Sequence, residues 1–286
     1  MFLLEKKLLA SARKEVWLRG SEFFMLEGSQ AGLKAESEII RVENLTLGYG
    51  DTNILEDVSF SVYEGEVFAV LGPSGCGKST LFHALIGLLP AKGGRIVIHG
   101  EDIGPGGSWE SLRIARENLG VLFQSGALLD WLSVGENIAF PLREFTDLPE
   151  ELIQHIVQLK LELVGLQGNA EKRPSELSGG MVRRAGLAAG MARDPKILFC
   201  DEPTFGLDPN TARGIDELLI EMRNFLNVTI AVVTHVVPTL ENISTRCIML
   251  DKESKGIIAS GQLQELQENA SDSRVRGFFQ RRIKQG

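Results

Sequence analysis

Cysteine is scarce in this 286-residue chain: Cys76, Cys200 and Cys247 are all there are. An odd set without C-x-x-C spacing excludes a disulfide framework and a cysteine zinc site, and it fits a reducing compartment. Long apolar runs are missing as well. None approaches the ~18 residues that a membrane-crossing helix needs. The opening stretch interrupts its leucines with Glu5, Lys6 and Lys7, so it lacks the basic-then-apolar order of a secretory signal. Positive charge is in deficit. Thirty Lys and Arg face 38 Asp and Glu, a net charge of −8. Proteins that live on nucleic acid present a basic face, so no nucleic-acid partner is expected. There is no internal repeat and no low-complexity tract.

What is present reads as an ordinary globular mixture, 43% hydrophobic and 24% charged, which excludes a mostly disordered chain. Glycine is in excess, 31 residues against a usual share of about 7%. It falls in short clusters, a pattern that suggests sites built from backbone. Residues 1–38 read as an N-terminal extension: Leu3, Leu4, Leu8, Leu9, Val16 and Trp17 allow an amphipathic helix, and Gly20, Gly28 and Gly32 interrupt the segment beyond Trp17. From Ile39 the pattern changes. Val58, Phe60 and Val62 alternate with polar residues like a half-buried strand. Val67–Leu71 and Ile197–Cys200 are wholly apolar, Thr229–Val233 is so after its first residue, and all three suit strands buried on both faces. Helical stretches separate them, which predicts a largely parallel sheet. The fold class is therefore α/β, with a mixed-sheet core, an added antiparallel β layer and a helical subdomain inserted at about 125–185. The main domain runs from 39 to 270, and 271–286 form a basic C-terminal tail.

Three motifs carry chemistry. Gly72-Pro73-Ser74-Gly75-Cys76-Gly77-Lys78-Ser79, followed by Thr80, fits a phosphate-binding loop between a buried strand and a helix. Its glycines let backbone N–H groups converge on phosphate, and the helix N-terminus adds positive potential. Lys78 would reach the terminal phosphates, and Ser79 would offer a hydroxyl to Mg²⁺. Cys76, at a variable position of the loop, needs no chemical role. The strand Ile197–Cys200 ends in Asp201 and Glu202, where an open α/β sheet places its ligands. Asp201 would hold the metal shell, and Glu202 would act as general base on water. Ser178-Gly179-Gly180-Met181 opens a helix with free N–H groups, a second anion site.

In this order, with Gly206-Leu207-Asp208-Pro209 and an isolated His235 after a buried strand, these motifs resemble the P-loop NTPases of the ABC ATPase type over about residues 39–265. The resemblance implies an ATPase using ATP and Mg²⁺. It implies that Tyr49 stacks on adenine, Gln124 touches Mg²⁺ and the attacking water, Asp208 communicates across a dimer, and His235 contacts the γ-phosphate. It also implies a head-to-tail homodimer in which Ser178, Gly179 and Gly180 close on the ATP of the other copy. Phe123–Leu142 and Met181 resemble more narrowly the ATPases paired with MCE lipid-trafficking systems. That implies a transmembrane permease dimer, an MCE-type lipid-binding protein and a small accessory subunit as partners, at the cytoplasmic face of the inner membrane. Val182 and Ala189, where basic residues are common, and the Asp201–Pro209 stretch depart from the lipid-specific pattern and leave the substrate class open. Soluble ABC ATPases of DNA repair, chromosome structure or translation carry long coiled coils or paired cassettes, and this chain has neither. The apolar Leu128, Leu129, Trp131 and Leu132 are expected to meet a permease. Phe278 and Phe279, set among arginines, are expected to bind a partner.

Overall fold

The computed structural model describes residues 37–283, with side chains as far as Gln280. The N-terminal extension, with its expected helix, lies almost wholly outside the described residues, as do the side chains of Arg281, Arg282 and Lys284.

Apolar alternation opens the fold. β1 (Glu38–Tyr49) buries Ile40, Val42, Leu45 and Leu47 and pairs antiparallel with β2 (Thr52–Tyr63). β3 (Val67–Leu71) is buried at every residue and delivers the chain to the Gly72–Gly77 loop and then α1 (Lys78–Leu85). β4 (Gly93–Ile98) returns beside β1, and the short β5 (Glu101–Asp102) comes next. After α2 (Trp109–Glu117) comes β6 (Leu119–Leu122). The chain then turns helical: α3 (Val134–Phe145), α4 (Glu150–Leu163) and α5 (Gly179–Gly190). Ser133 and Glu136 close a capping box at the start of α3, satisfying two otherwise orphaned N–H groups. β7 (Ile197–Asp201), α6 (Pro209–Leu226), β8 (Thr229–Val233) and α7 (Val237–Ile243) rebuild the α/β pattern. The chain ends with β9 (Arg246–Asp251), β10 (Gly256–Gly261), α8 (Leu263–Asn269) and α9 (Ser273–Ile283).

Among the described residues the strands form two sheets, an antiparallel one ordered β2-β1-β4-β5 and a mixed one ordered β10-β9-β3-β8-β7-β6. In the mixed sheet β9, β3, β8, β7 and β6 run parallel, and only β10 joins antiparallel. The α/β fold class, with a mixed core and an antiparallel layer, is as the sequence predicts. Register decides where chemistry can occur. Val233 of β8 stands opposite both Val70 of β3 and Asp201 of β7, and Cys200 of β7 stands opposite Leu122 of β6. Four parallel strands therefore end along one edge, and the loop after each begins there.

Packing ties the layers together. The rings of Phe60 and Phe68 stack at 5.3 Å between the two sheets. Phe82 of α1 meets Phe123 and Phe199 edge-on at 5.9 and 6.1 Å, fixing the phosphate-loop helix against β7 and the loop after β6. The helices between β6 and β7 share a core with α6, built on Val134, Ile138, Val157, Leu161 and Leu187.

One expectation is corrected here. Phe278 and Phe279 do not face a partner; with Val275 they are buried against Leu71, Val237, Leu240 and Met249 of the same chain. The reason is helical spacing. Residues three and four apart share one face of α9, so the two rings and Val275 turn inward. Arg274, on the same helix, is half-exposed and pairs with Asp251 at 2.8 Å and with Asp272 at 2.7 Å. Among the described residues no helix is long and apolar enough to cross a membrane.

Candidate active site

The phosphate loop is shaped by glycine. Gly72, Gly75 and Gly77 take φ values of 144, 77 and 105°, a region that side-chain-bearing residues rarely adopt. At Gly77 a Cβ would also stand 2.9 Å from Leu55. Gly77 is the N-cap of α1, and no side chain caps the helix there. The first-turn N–H groups are left to an anion, as a phosphate cradle requires. Lys78 is buried, and its Nζ donates to the carbonyls of Gly72 and Pro73 at 2.9 and 3.1 Å, holding the ammonium inside the loop's curl. Pro73, Ser74, Gly75 and Ser79 are exposed, whereas Thr80 packs inward. Cys76 is also buried, and burial raises its thiol above the ordinary range. Its side chain faces the core between the sheets and not the loop's mouth.

Beside the loop stand the carboxylates. Burial, followed by the charge of Glu202, pushes the Asp201 carboxyl above its usual range, while His83, Lys78 and Arg183 oppose the shift. A carboxylate in that setting is stabilised by a further cation. Ser79, Asp201 and Gln124, which lies two residues beyond Leu122 of β6, offer a hydroxyl, a carboxylate and an amide oxygen. Such hard oxygen donors suit Mg²⁺. Among the described residues no group of three or more His, Cys, Asp or Glu could hold a metal by itself, so phosphate oxygens would have to complete the shell. The residues fit Mg·ATP on these terms.

Glu202 and His235 are brought together. Glu202 has φ 47°, a strained left-handed conformation for a residue with a side chain, held by its N–H donating to the Val233 carbonyl at 2.8 Å. Its Oε1 lies 2.5 Å from His235 Nδ1. Its Oε2 accepts from the Thr234 hydroxyl at 2.8 Å and from the His235 N–H at 3.4 Å. Glu202 and Thr234 are buried. Sequence reasoning missed Thr234 and Phe205. Thr234 had a signal, a hydroxyl at a strand end directly before His235. Phe205 had none, since its ring meets His235 only through the turn after Glu202, centroids 5.1 Å apart.

The Ser178 turn, expected to be a second anion site, lies elsewhere on the chain. Ser178 caps α5, its hydroxyl accepting from the Met181 N–H at 3.4 Å. A Cβ on Gly180 would stand 2.3 Å from Thr211 Cγ2, so only glycine lets α5 pass α6 this closely. Asp208 caps α6, accepting from the N–H groups of Asn210 and Thr211 at 3.1 Å. Hydrogen bonding from Thr211 holds its carboxyl below the usual range. Ser178, Gly179, Gly180 and Asp208 are therefore neighbours, and among the described residues no hydrogen bond joins them to the phosphate loop. Tyr49 is 54% exposed at the end of β1, open to a flat ligand. Trp131 is 71% exposed, while Leu128 packs against the helical core and Leu129 and Leu132 are half-buried.

The pattern of the ABC transporter family matches residues 55–205. The intermembrane phospholipid transport system ATP-binding protein MlaF of Escherichia coli is 41% identical over 244 residues, 85% of this chain and 89% of that one. A Mycobacterium leprae protein named as a probable ribonucleotide transport ATP-binding protein is 46% identical over 196 residues, 68% of this chain and 56% of that one. Among solved structures, a dimeric ATP-binding cassette in a post-hydrolysis state bound to ADP and Pi matches with a TM-score of 0.71 and 27% identity, covering 79% of this chain and 99% of that one. A second structure, cbiO1 from Clostridium perfringens, part of an ABC transporter complex, matches with a TM-score of 0.72 and 30% identity, covering 87% and 94%.

Proposed function

Because this chain belongs to the ABC transporter family and is an ATP-hydrolysing subunit of it, we propose that it drives a lipid transporter, moving phospholipid or a similar hydrophobic molecule between membranes. The match to MlaF along nearly the whole of both chains supports this substrate class. The relative named for ribonucleotides weighs less, because this chain spans only about half of it.

The observation that carries the mechanism is the convergence of Lys78, Asp201, Glu202 and His235 at the ends of neighbouring strands. The ATP phosphates lie on the uncapped N-terminus of α1, with Lys78 turning from the loop carbonyls to the β- and γ-phosphates and Tyr49 against adenine. Ser79, Asp201 and Gln124 would hold Mg²⁺, which neutralises phosphate charge when bound. Glu202 accepts a proton from the water that attacks the γ-phosphorus. The bond to the β,γ-bridging oxygen breaks, leaving ADP and phosphate. His235, oriented through Nδ1 by Glu202, presents its other nitrogen to the γ-phosphate. Two copies pack head to tail, so that the Ser178 turn of one copy closes on the phosphates held by the other and Asp208 lies at the join. The dimeric cassette of similar fold supports that arrangement. A permease dimer in the inner membrane, an MCE-type lipid-binding protein and a small accessory subunit complete the assembly, with this chain on the cytoplasmic face and Trp131 toward the permease.

Glu202→Gln tests the chemistry. Loss of the base is expected to lower turnover by about 10²–10⁴-fold while ATP binding persists. Steady-state hydrolysis and nucleotide binding by the purified variant are the measurements. Hydrolysis near the wild-type rate would remove Glu202 from the mechanism.

A further inference from the structure

Phe205 is only partly used by the core. It sits in the turn between Glu202 and the α6 cap, its N–H donating to the Glu202 carbonyl at 3.2 Å. Its ring remains 43% exposed, so it contributes little to packing. What it touches is the His235 imidazole, with ring centroids 5.1 Å apart and planes inclined at 51°. Tilted aromatic pairs at this separation attract beyond simple area burial.

The His235 side chain is 18% exposed, and its hydrogen bonds to Glu202 fall at one end. Nδ1 is fixed by Glu202 Oε1 and the backbone N–H by Glu202 Oε2. Nδ1 lies off the Cβ–Cγ axis, so its hydrogen bond opposes rotation of the ring, but one hydrogen bond tolerates a range of tilt. The Phe205 ring against the imidazole narrows that range, because tilting the imidazole away gives up the contact at 5.1 Å. The turn holding Phe205 starts at Glu202 and ends at Asp208, the cap of α6. A shift of that turn would therefore move the brace and the carboxylate together.

We propose that Phe205 is a positioning residue for ATP hydrolysis, holding the His235 imidazole within the range of tilt that its hydrogen bond to Glu202 allows. The inference rests on the roles proposed for Glu202 and His235. A small misplacement of a reacting group is costly in rate, whereas nucleotide affinity comes from the phosphate loop. Phe205→Ser in the full-length chain is therefore expected to lower kcat on the order of 10-fold and to leave KM for Mg·ATP within about twofold. The thermal midpoint should hardly move, since the ring is nearly half-exposed. Phe205→Tyr, which keeps the ring, should restore turnover, and Phe205→Leu, which keeps bulk without the ring, should not. On a His235→Ala background, Phe205→Ser should cost nothing further, because the group it positions is gone.

The outcomes separate the two ideas. If His235→Ala keeps wild-type turnover, the assigned role of His235 fails and this inference with it. If His235→Ala loses turnover but Phe205→Ser does not, only the role of Phe205 is overturned. A loss in Phe205→Ser that Phe205→Tyr does not restore, or that adds in full to the loss of His235→Ala, also overturns it.

Discussion

At the scale of single residues, the chemistry turns on how Glu202 is held. Its carboxylate is buried, its backbone is strained, and both oxygens accept hydrogen bonds. Thr234 is the partner that can be removed without changing the shape of the site. Thr234→Val keeps the shape and deletes one hydroxyl at a fully buried position, leaving Glu202 Oε2 with only the His235 N–H, and the Val236 N–H without its acceptor at 3.1 Å. Leaving a buried acceptor short of a donor costs about 1–3 kcal/mol. Thr234→Val is expected to lose stability of that order in chemical denaturation and to lower kcat, with ATP binding preserved. Lys78, Asp201 and Glu202 stood out in the sequence through local motifs, and the isolated His235 only through the resemblance of the ordered set. Thr234 left only the weak signal of a hydroxyl before His235, and Phe205 left none. A hydroxyl and an aromatic ring have many uses, and only the register of β7 with β8 brings them to Glu202 and His235.

At the scale of elements, the inserted helices are joined to the sheet core through a charge. Lys160 of α4 is 3% exposed and pairs at 2.5 Å with Asp194, which is 54% exposed in the turn after α5. Burial pulls the Lys160 amine below the ordinary value of 10.5, and Asp194 opposes that pull. An unfolded Lys160 holds its proton up to the ordinary value, while the buried amine releases it earlier. Between the two values the unfolded state binds more protons, so stability rises with pH in that window. Asp194→Asn removes the opposing charge, yet asparagine tolerates the left-handed backbone (φ 52°) at this position. The variant is expected to lose on the order of 1–2 kcal/mol near neutral pH, a figure discounted for the exposure of Asp194. It should regain part of that loss as pH rises toward the ordinary lysine value. Lys160→Met fills the same space without a charge to desolvate, and should be near neutral in stability with no such slope. Denaturant melts from neutral pH upward check both. The sequence showed the helices through their apolar spacing, but not this pair, because Lys160 and Asp194 are far apart in the chain and the first of them lies on a buried face that lysine seldom occupies.

At the scale of the whole molecule, the sheets were predictable and the C-terminal end was not. Buried strands announce themselves by apolar runs, and the antiparallel layer by alternation. Arginines around Phe278 and Phe279 suggested a surface tail, because charge counts do not show which way a helix turns. In the structure α8 and α9 cover one side of β9 and α7, and Val275, Phe278 and Phe279 close a core that includes Leu71. Leu71 is the last residue of β3, immediately before Gly72, so this terminal packing lies directly behind the phosphate loop. Removing residues 272–286 would delete the three buried side chains of Val275, Phe278 and Phe279 and uncover the Leu71, Val237 and Met249 surfaces beneath them. Full burial of such a side chain contributes about 1.5–3 kcal/mol, so the truncated chain is expected to lose several kcal/mol. The loss should appear in the isolated chain, as a lower denaturant midpoint with an unchanged slope. ATP affinity should weaken as well, because the strand that presents the loop has lost its backing. Phe279→Ala, which empties part of the same core without shortening the chain, should show a smaller loss in the same direction, about 3–5 kcal/mol at most. A truncated chain that melts like the full-length protein, and changes only its assembly with partners, would mean that α9 docks too weakly on its own chain to support the phosphate loop.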